Sequence, residues 1–109
     1  LGQRDIADIA RSTVFNNQPD ALCVSGLTAG TETDTQILVR VKEAVAQTPV
    51  FCNTGCRIDN IDRQLAASDG AVVGTTFKVD GQFANFVDHE RVKAFMDKVK
   101  AWRAGQGFV

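Results

Sequence analysis

Apolar residues recur along the chain in two alternating rhythms. Between Arg4 and Val14, Ile6, Ile9, Ala10 and Val14 fall at helical spacing. Asn16, Asn17 and Pro19 stop that helix, since proline lacks an N–H and locks φ. Ala21-Leu22-Cys23-Val24 is then an unbroken apolar run ending at Ser25-Gly26, a pattern that suits a parallel strand covered on both faces. A loop rich in glycine and threonine follows, and Thr33 or Asp34 stands where a cap is needed for a second helix. The inner stripe of that helix is Ile37, Leu38, Val41, Ala44 and Val45, and Thr48-Pro49 ends it. Val50-Phe51-Cys52 reads as the second strand, finishing at Asn53-Thr54-Gly55.

Asp59 is expected to cap a short third helix, with Asp62 in its first turn near the positive end of the helix dipole and Ile61 and Leu65 facing inward. Ala71-Val72-Val73 is the third strand and closes on Gly74-Thr75-Thr76. After a looser stretch Asp88 caps a last helix whose inner face is Val92, Phe95, Met96, Val99 and Trp102. Val87 and Val92 occupy the positions of a hydrophobic staple, and Gly105 and Gly107 mark the end.

The order αβαβαβα with short joints predicts an α/β fold, a parallel sheet with right-handed crossovers. Three strands are few for a free-standing doubly wound domain, and a complete (β/α)₈ barrel takes about 250 residues. The 109 residues therefore predict the C-terminal segment of one TIM-barrel domain, its last three strands and flanking helices, from the fifth helix to the eighth. Leu1 comes first and Met96 is the sole methionine, so we expect an excerpt whose N-terminal strands lie upstream. Such a slice leaves sheet edges and helix faces uncovered, which predicts a homo-oligomer or other self-association.

Composition narrows the function classes. Apolar residues make up 44% and charged residues 23%, enough for a core and unlike a disordered chain. A net charge of −1 with no basic cluster argues against a nucleic-acid partner. No apolar run approaches the roughly 20 residues of a membrane span, and no basic-then-apolar start resembles a signal peptide, so a cytoplasmic location is expected. Cys23, Cys52 and Cys56 then read as reduced thiols, with Cys23 and Cys52 acting as small buried hydrophobes inside strands. A single histidine and a Cys-x₃-Cys spacing do not make a zinc site, and no metal or cofactor is expected. His89, in the first turn of the last helix, is expected to face solvent.

Candidate chemistry collects where strands end. Asn53-Thr54-Gly55 and Gly74-Thr75-Thr76 close consecutive strands. Glycine turns and hydroxyls in such places hold phosphate through backbone N–H groups, and in TIM barrels the loops after strands seven and eight often form a phosphate site. Thr54, Gly55, Gly74 and Thr75 are the expected phosphate ligands. Arg57 could fork onto an oxyanion beside them, and Ser25 and Gly26 are candidate substrate contacts, with Asn53 and Asn85 weaker ones for orienting substrate. Catalytic candidates are Lys78 after the last strand, and Glu32 and Asp34 after the first. Against these stand plainer roles. Asp34 caps its helix, Glu32 is solvated, Lys78 belongs to an exposed turn with Asp80-Gly81, and Phe95, Met96 and Trp102 are core.

Asp20-Ala21-Leu22-Cys23-Val24-Ser25-Gly26, Gly30-Thr31-Glu32-Thr33-Asp34, Val41-Lys42-Glu43-Ala44-Val45, Asp69-Gly70-Ala71-Val72-Val73-Gly74-Thr75, Phe77-Lys78-Val79-Asp80-Gly81 and Val87 to Met96 stand in an order and spacing that resemble the BtpA/SgcQ family. The resemblance runs from Arg4 to Trp102 and implies a full phosphate-binding TIM barrel. It implies little about reaction. One branch is associated with photosystem I biogenesis, and another sits with sugar-metabolism genes and has carried a nucleoside-triphosphatase label. This chain lacks the glycine-rich loop ending in Gly-Lys-Ser/Thr, so a P-loop mechanism gains no support. Cys56-Arg57 after Gly55 departs from the small or aliphatic residues the family leads one to expect. The expected ligand is a phosphorylated small metabolite or free phosphate, bound or converted at the barrel mouth. The alternatives are a non-catalytic assembly factor or an inactive fragment.

Overall fold

The computed structural model describes residues 5–25, 34–53 and 55–107. Its elements follow the predicted order: α1 (Ile6–Asn17), β1 (Leu22–Val24), α2 (Thr35–Ala44), β2 (Val50–Asn53), α3 (Ile61–Ala66), β3 (Gly70–Val72), two 3₁₀ turns over Thr75–Phe77 and Val79–Gly81, and α4 (His89–Gly105). Carboxylates start three of the four helices. Asp5 accepts from the amide of Ala7, Asp34 from Gln36 and Asp88 from Glu90, each satisfying an N–H the helix itself leaves bare. Gln18 ends α1 in the left-handed region at φ 46°, directly before Pro19.

Several boundaries depart from expectation: α1 runs through Asn16 and Asn17 to the left-handed Gln18, β3 is Gly70–Val72 rather than Ala71–Val73, and one end each of α2 and α3 is shifted. α2 ends at Ala44 rather than at Thr48-Pro49, because Val45 leaves helical geometry at φ −129° and ψ 52°. The chain then turns, with the Thr48 amide donating to the Val45 carbonyl at 2.8 Å. At α3 the cap position belongs to Asn60, not to Asp59. The Asp59 carboxylate instead takes the Arg57 guanidinium at 3.1 Å, while Asn60 turns its fully buried amide back toward residues 55–57.

The sheet is parallel throughout, in the order β1-β2-β3. Leu22, Cys23 and Val24 pair with Val50, Phe51 and Cys52, and Phe51, Cys52 and Asn53 pair with Gly70, Ala71 and Val72. Side chains alternate between faces along a strand, so this register sets Leu22, Val24, Val50, Cys52 and Ala71 on one face. That face meets the core, where Val24, Val50 and Cys52 cluster with Ala10, Leu38, Val41, Val45, Ile61, Phe95 and Val99. Cys23, Phe51, Asn53, Gly70 and Val72 share the other face, which is open: Cys23 is exposed and Val72 is 48% exposed. Among the described residues the apolar run at β1 is therefore covered on one face only, and Cys23 is not the buried hydrophobe its setting predicts.

On α4 the inner stripe is as read, with Phe95 and Val99 buried and Val92, Met96 and Trp102 half-buried. Phe77 meets Phe95 edge-on, ring centroids 5.0 Å apart, which ties the loop after β3 to α4. Val87 does not act as a staple. It is 59% exposed and makes a single antiparallel bridge to Lys78. Beside β3 a larger cavity of about 830 Å³ is lined by Phe77, Phe95, Met96, Val99 and Trp102, with Asp69 and Arg103 among its other residues.

Asp69 clamps the start of β3 to β2. Its amide donates to the Val50 carbonyl at 2.8 Å, its carboxylate accepts from the Val50 amide at 2.8 Å, and Lys42 of α2 lies 2.6 Å from the same oxygen. Burial pushes this carboxyl upward, but the hydrogen bonds from Lys42 and Val50 and the Lys42 charge outweigh it and leave it below the ordinary 3.8. A lowered folded-state value means the carboxylate stabilises the fold above 3.8 and loses that contribution as pH falls through the folded value. Asp69→Asn should accordingly lower the urea midpoint of the full-length protein at neutral pH. The gap from wild type should close only as the medium is acidified below 3.8. A gap that persists unchanged into strong acid would show that the clamp does not depend on the charge.

Candidate functional site

The ends of β2 and β3 lie side by side because Asn53 pairs with Val72. The chain leaving each strand turns over the same space, and together they bound a cavity of about 490 Å³. Asn53, Gly55, Cys56 and Arg57 come from the first loop, Val72 to Thr76 from the second, and Gly81, Phe83 and Arg91 from beyond it.

The first wall is set by Asn60. Gly55 is left-handed at φ 70°, a conformation that favours glycine. Its carbonyl accepts from the Asn60 side-chain amide at 2.8 Å and from an Arg57 terminal nitrogen at 3.3 Å. Asn60 Oδ1 in turn accepts from the Arg57 amide at 2.7 Å. One buried side chain thus holds both ends of the Gly55–Arg57 segment, and Arg57 is further steered by Asp59.

The second wall is the 3₁₀ turn after Gly74. A Cβ on Gly74 would meet nothing within 4 Å, so the space above it is open. The Phe77 amide donates to the Gly74 carbonyl at 2.9 Å and the Lys78 amide to that of Thr75 at 3.0 Å. The amides of Thr75 and Thr76 belong to the first turn, where a helix supplies no acceptor of its own.

Arg91 is the contributor that the sequence reading passed over. It is the third residue of α4, and its Nε donates to the Thr76 carbonyl at 2.7 Å. The Lys78–Val87 bridge returns the chain to place it there, through the Val79 amide on the Phe86 carbonyl at 2.9 Å and the Asp88 amide on the Phe77 carbonyl at 2.7 Å. Its guanidinium also passes close to Gly81, where an added Cβ would lie 3.3 Å from a terminal nitrogen. Asp80 and Gly81 are both left-handed, at φ 56° and 67°, the tight turn the Asp-Gly pair predicts. The place of Arg91 in the first turn of α4, three residues after the Asp88 cap, is the one local feature that marks it.

The cavity gathers Asn53, Gly55, Arg57, Gly74 and Thr75 from the sequence-stated candidates. Thr54, Gly26 and Glu32 lie outside the described residues. Ser25 is exposed at the end of β1 and does not line the cavity. Asp34 is engaged as the cap of α2. Lys78 does not line the cavity either, and its ammonium stands 5.8 Å from the centre of the Phe83 ring, a cation–π distance. Asn85 braces its own loop by donating to the Val79 carbonyl at 2.8 Å. His89 is exposed. Among the described residues no group of three His, Cys, Asp or Glu side chains could hold a metal ion, and no helix is long and apolar enough to cross a membrane.

Chemically, the site offers two guanidinium groups, glycine-bearing backbone and two threonines around a volume suited to a small molecule. Acidic residues are absent from its described lining. Such a set is chemically suited to an anion.

Residues 1–101 match the BtpA family. The chain is 64% identical over 99 residues to the sgc region protein SgcQ of Escherichia coli, covering 91% of this chain and 37% of that protein. It is 33% identical over 99 residues to the uncharacterized protein TK2179 of Thermococcus kodakarensis, again 91% of this chain and 38% of the relative. With the photosystem I biogenesis protein BtpA of Synechocystis it shares 28% identity over 97 residues, 89% of this chain and 34% of that protein. The chain thus spans little more than a third of the length of these relatives.

Proposed function

This chain belongs to the BtpA family, and on that premise we propose that it is the C-terminal part of a (β/α)₈ barrel which holds a phosphorylated small metabolite in the cavity between β2 and β3. One observation carries the site: consecutive parallel strand ends share a cavity lined by Arg57 and Arg91 and by the Gly55 and Gly74–Thr76 backbone. A phosphate there would lie between the guanidinium groups of Arg57 and Arg91, beside the backbone of the 3₁₀ turn. Ligands of open parallel sheets and of barrels gather at the carboxyl ends of strands, where this cavity lies.

The barrel reading draws on the open face of the sheet. Purely parallel sheets are ordinarily covered on both faces, yet on this face Cys23 and Val72 stay exposed among the described residues. Closure with further strands covers that face with inward side chains and removes the free edge at β3. It also fills the apolar cavity beside Phe95 and Trp102. A second reading, a non-catalytic assembly factor, draws on Phe83, which lines the cavity, and Phe86, respectively 79% and 90% exposed. It also draws on the biogenesis role in the name of the Synechocystis relative.

Ligand linkage tests the site. Inorganic phosphate at about 100 times its Kd should stabilise the full-length protein by about 2.7 kcal/mol, visible as a rise in Tm over chloride at equal ionic strength. No difference between the two salts would count against a phosphate site.

A further inference from the structure

The wall of the proposed anion cavity contains a pair of thiols that its ligand chemistry does not use. Cys52, at the end of β2, is fully buried on the core face, while Cys56 lines the cavity and is 5% exposed. Their sulfurs are 3.2 Å apart, and the Cys56 sulfur also lies 3.9 Å from the Cys52 carbonyl. A disulfide needs about 2.05 Å, so a shift of about 1 Å separates the two states. Three residues, including left-handed Gly55, lie between the cysteines, and the Asn60 side chain holds the segment that carries Cys56.

Resting on the reading of this cavity as an anion site, we propose that Cys52 and Cys56 are a reversible dithiol–disulfide pair whose oxidant enters through the cavity, so that a bound anion shields it. The oxidant is hydrogen peroxide, small enough for the cavity. The Cys56 sulfur attacks one peroxide oxygen, the O–O bond breaks, and water leaves with the thiol proton to give a sulfenic acid. The Cys52 sulfur then attacks the Cys56 sulfur, the S–O bond breaks, and a second water leaves as the S–S bond forms. Two electrons pass from the sulfurs to the peroxide, and a thiol reductant reverses the change. Cys23, exposed on the open sheet face, takes no part.

Tryptic digestion gives peptide 43–57, which contains both cysteines of the pair and not Cys23. After brief treatment of the full-length protein with hydrogen peroxide and alkylation of residual thiols, this peptide should be about 2 Da lighter than its dithiol form and carry no alkyl group. Dithiothreitol should restore two alkylatable thiols. In Cys52→Ser the loss of about 2 Da should vanish and Cys56 should be trapped as its sulfenic acid by dimedone. A wild-type peptide that stays fully alkylatable, gains oxygen without losing hydrogen, or links to Cys23 would overturn the pair. Phosphate at about ten times its Kd should slow the loss about tenfold, since only the empty fraction admits peroxide. An unchanged rate in phosphate shown to bind would overturn the shielding. Failure of phosphate to bind the reduced protein counts against the site reading instead, and peptide 43–57 still decides the disulfide.

Discussion

Replacing Asn60 with alanine should destabilise the full-length protein by about 3 kcal/mol and weaken phosphate binding together with it. Asn60 is fully buried and spends its side chain on one segment, donating to the Gly55 carbonyl and accepting from the Arg57 amide. Alanine leaves both backbone groups without those partners and opens a void in the closely packed wall. Asn60→Asp separates the two bonds. The carboxylate still accepts from the Arg57 amide, but its second oxygen faces the Gly55 carbonyl, acceptor against acceptor. We expect it to be no more stable than the alanine variant. Urea unfolding gives the first effect and phosphate titration under native conditions the second. An Asn60→Ala protein with a wild-type midpoint would mean that the Gly55–Arg57 segment holds its shape without this clamp.

Arg91→Ala should separate binding from folding in the opposite sense. The side chain is exposed and its hydrogen bond among the described residues is to the Thr76 carbonyl, so stability should change by less than about 1 kcal/mol. Phosphate affinity should fall about 10- to 100-fold, the range expected when a hydrogen bond from a charged donor is lost. Lysine should recover little of it, because a point charge cannot serve the Thr76 carbonyl and an oxyanion in one planar fork. Arg57→Ala should weaken binding as well, and also reduce stability, since Arg57 braces the Gly55 carbonyl. Equal affinity for Arg91→Ala and wild type at low salt would remove Arg91 from the site.

The helix order, the caps Asp34 and Asp88, and the stripe from Leu38 to Val45 were legible because amphipathic spacing and capping act within a few residues. Burial of the strands was less so. An apolar run states that a strand can be covered on both faces, whereas the neighbours decide whether it is, and Cys23 faces the open side. The choice between Asp59 and Asn60 was equally closed to local reasoning. Either can cap, but only an amide can both donate to the Gly55 carbonyl and accept from the Arg57 amide. The site was half legible. Glycines and threonines at strand ends announced themselves, and Arg57 followed by adjacency. Arg91 did not, because it reaches the cavity through a return of the chain set by the Asp80-Gly81 turn and the Lys78–Val87 bridge. The contact between Cys52 and Cys56 depends likewise on the bend at Gly55.

The central claim is that an anion binds between the ends of β2 and β3. Crystals of the full-length protein soaked with tungstate, a tetrahedral phosphate analogue with strong anomalous scattering, test it most directly. The account expects an anomalous peak bounded by Gly55, Gly74 to Thr76 and the guanidinium groups of Arg57 and Arg91, and expects phosphate to displace it. Tungstate bound only elsewhere, with this cavity empty while phosphate binds in solution, would contradict it.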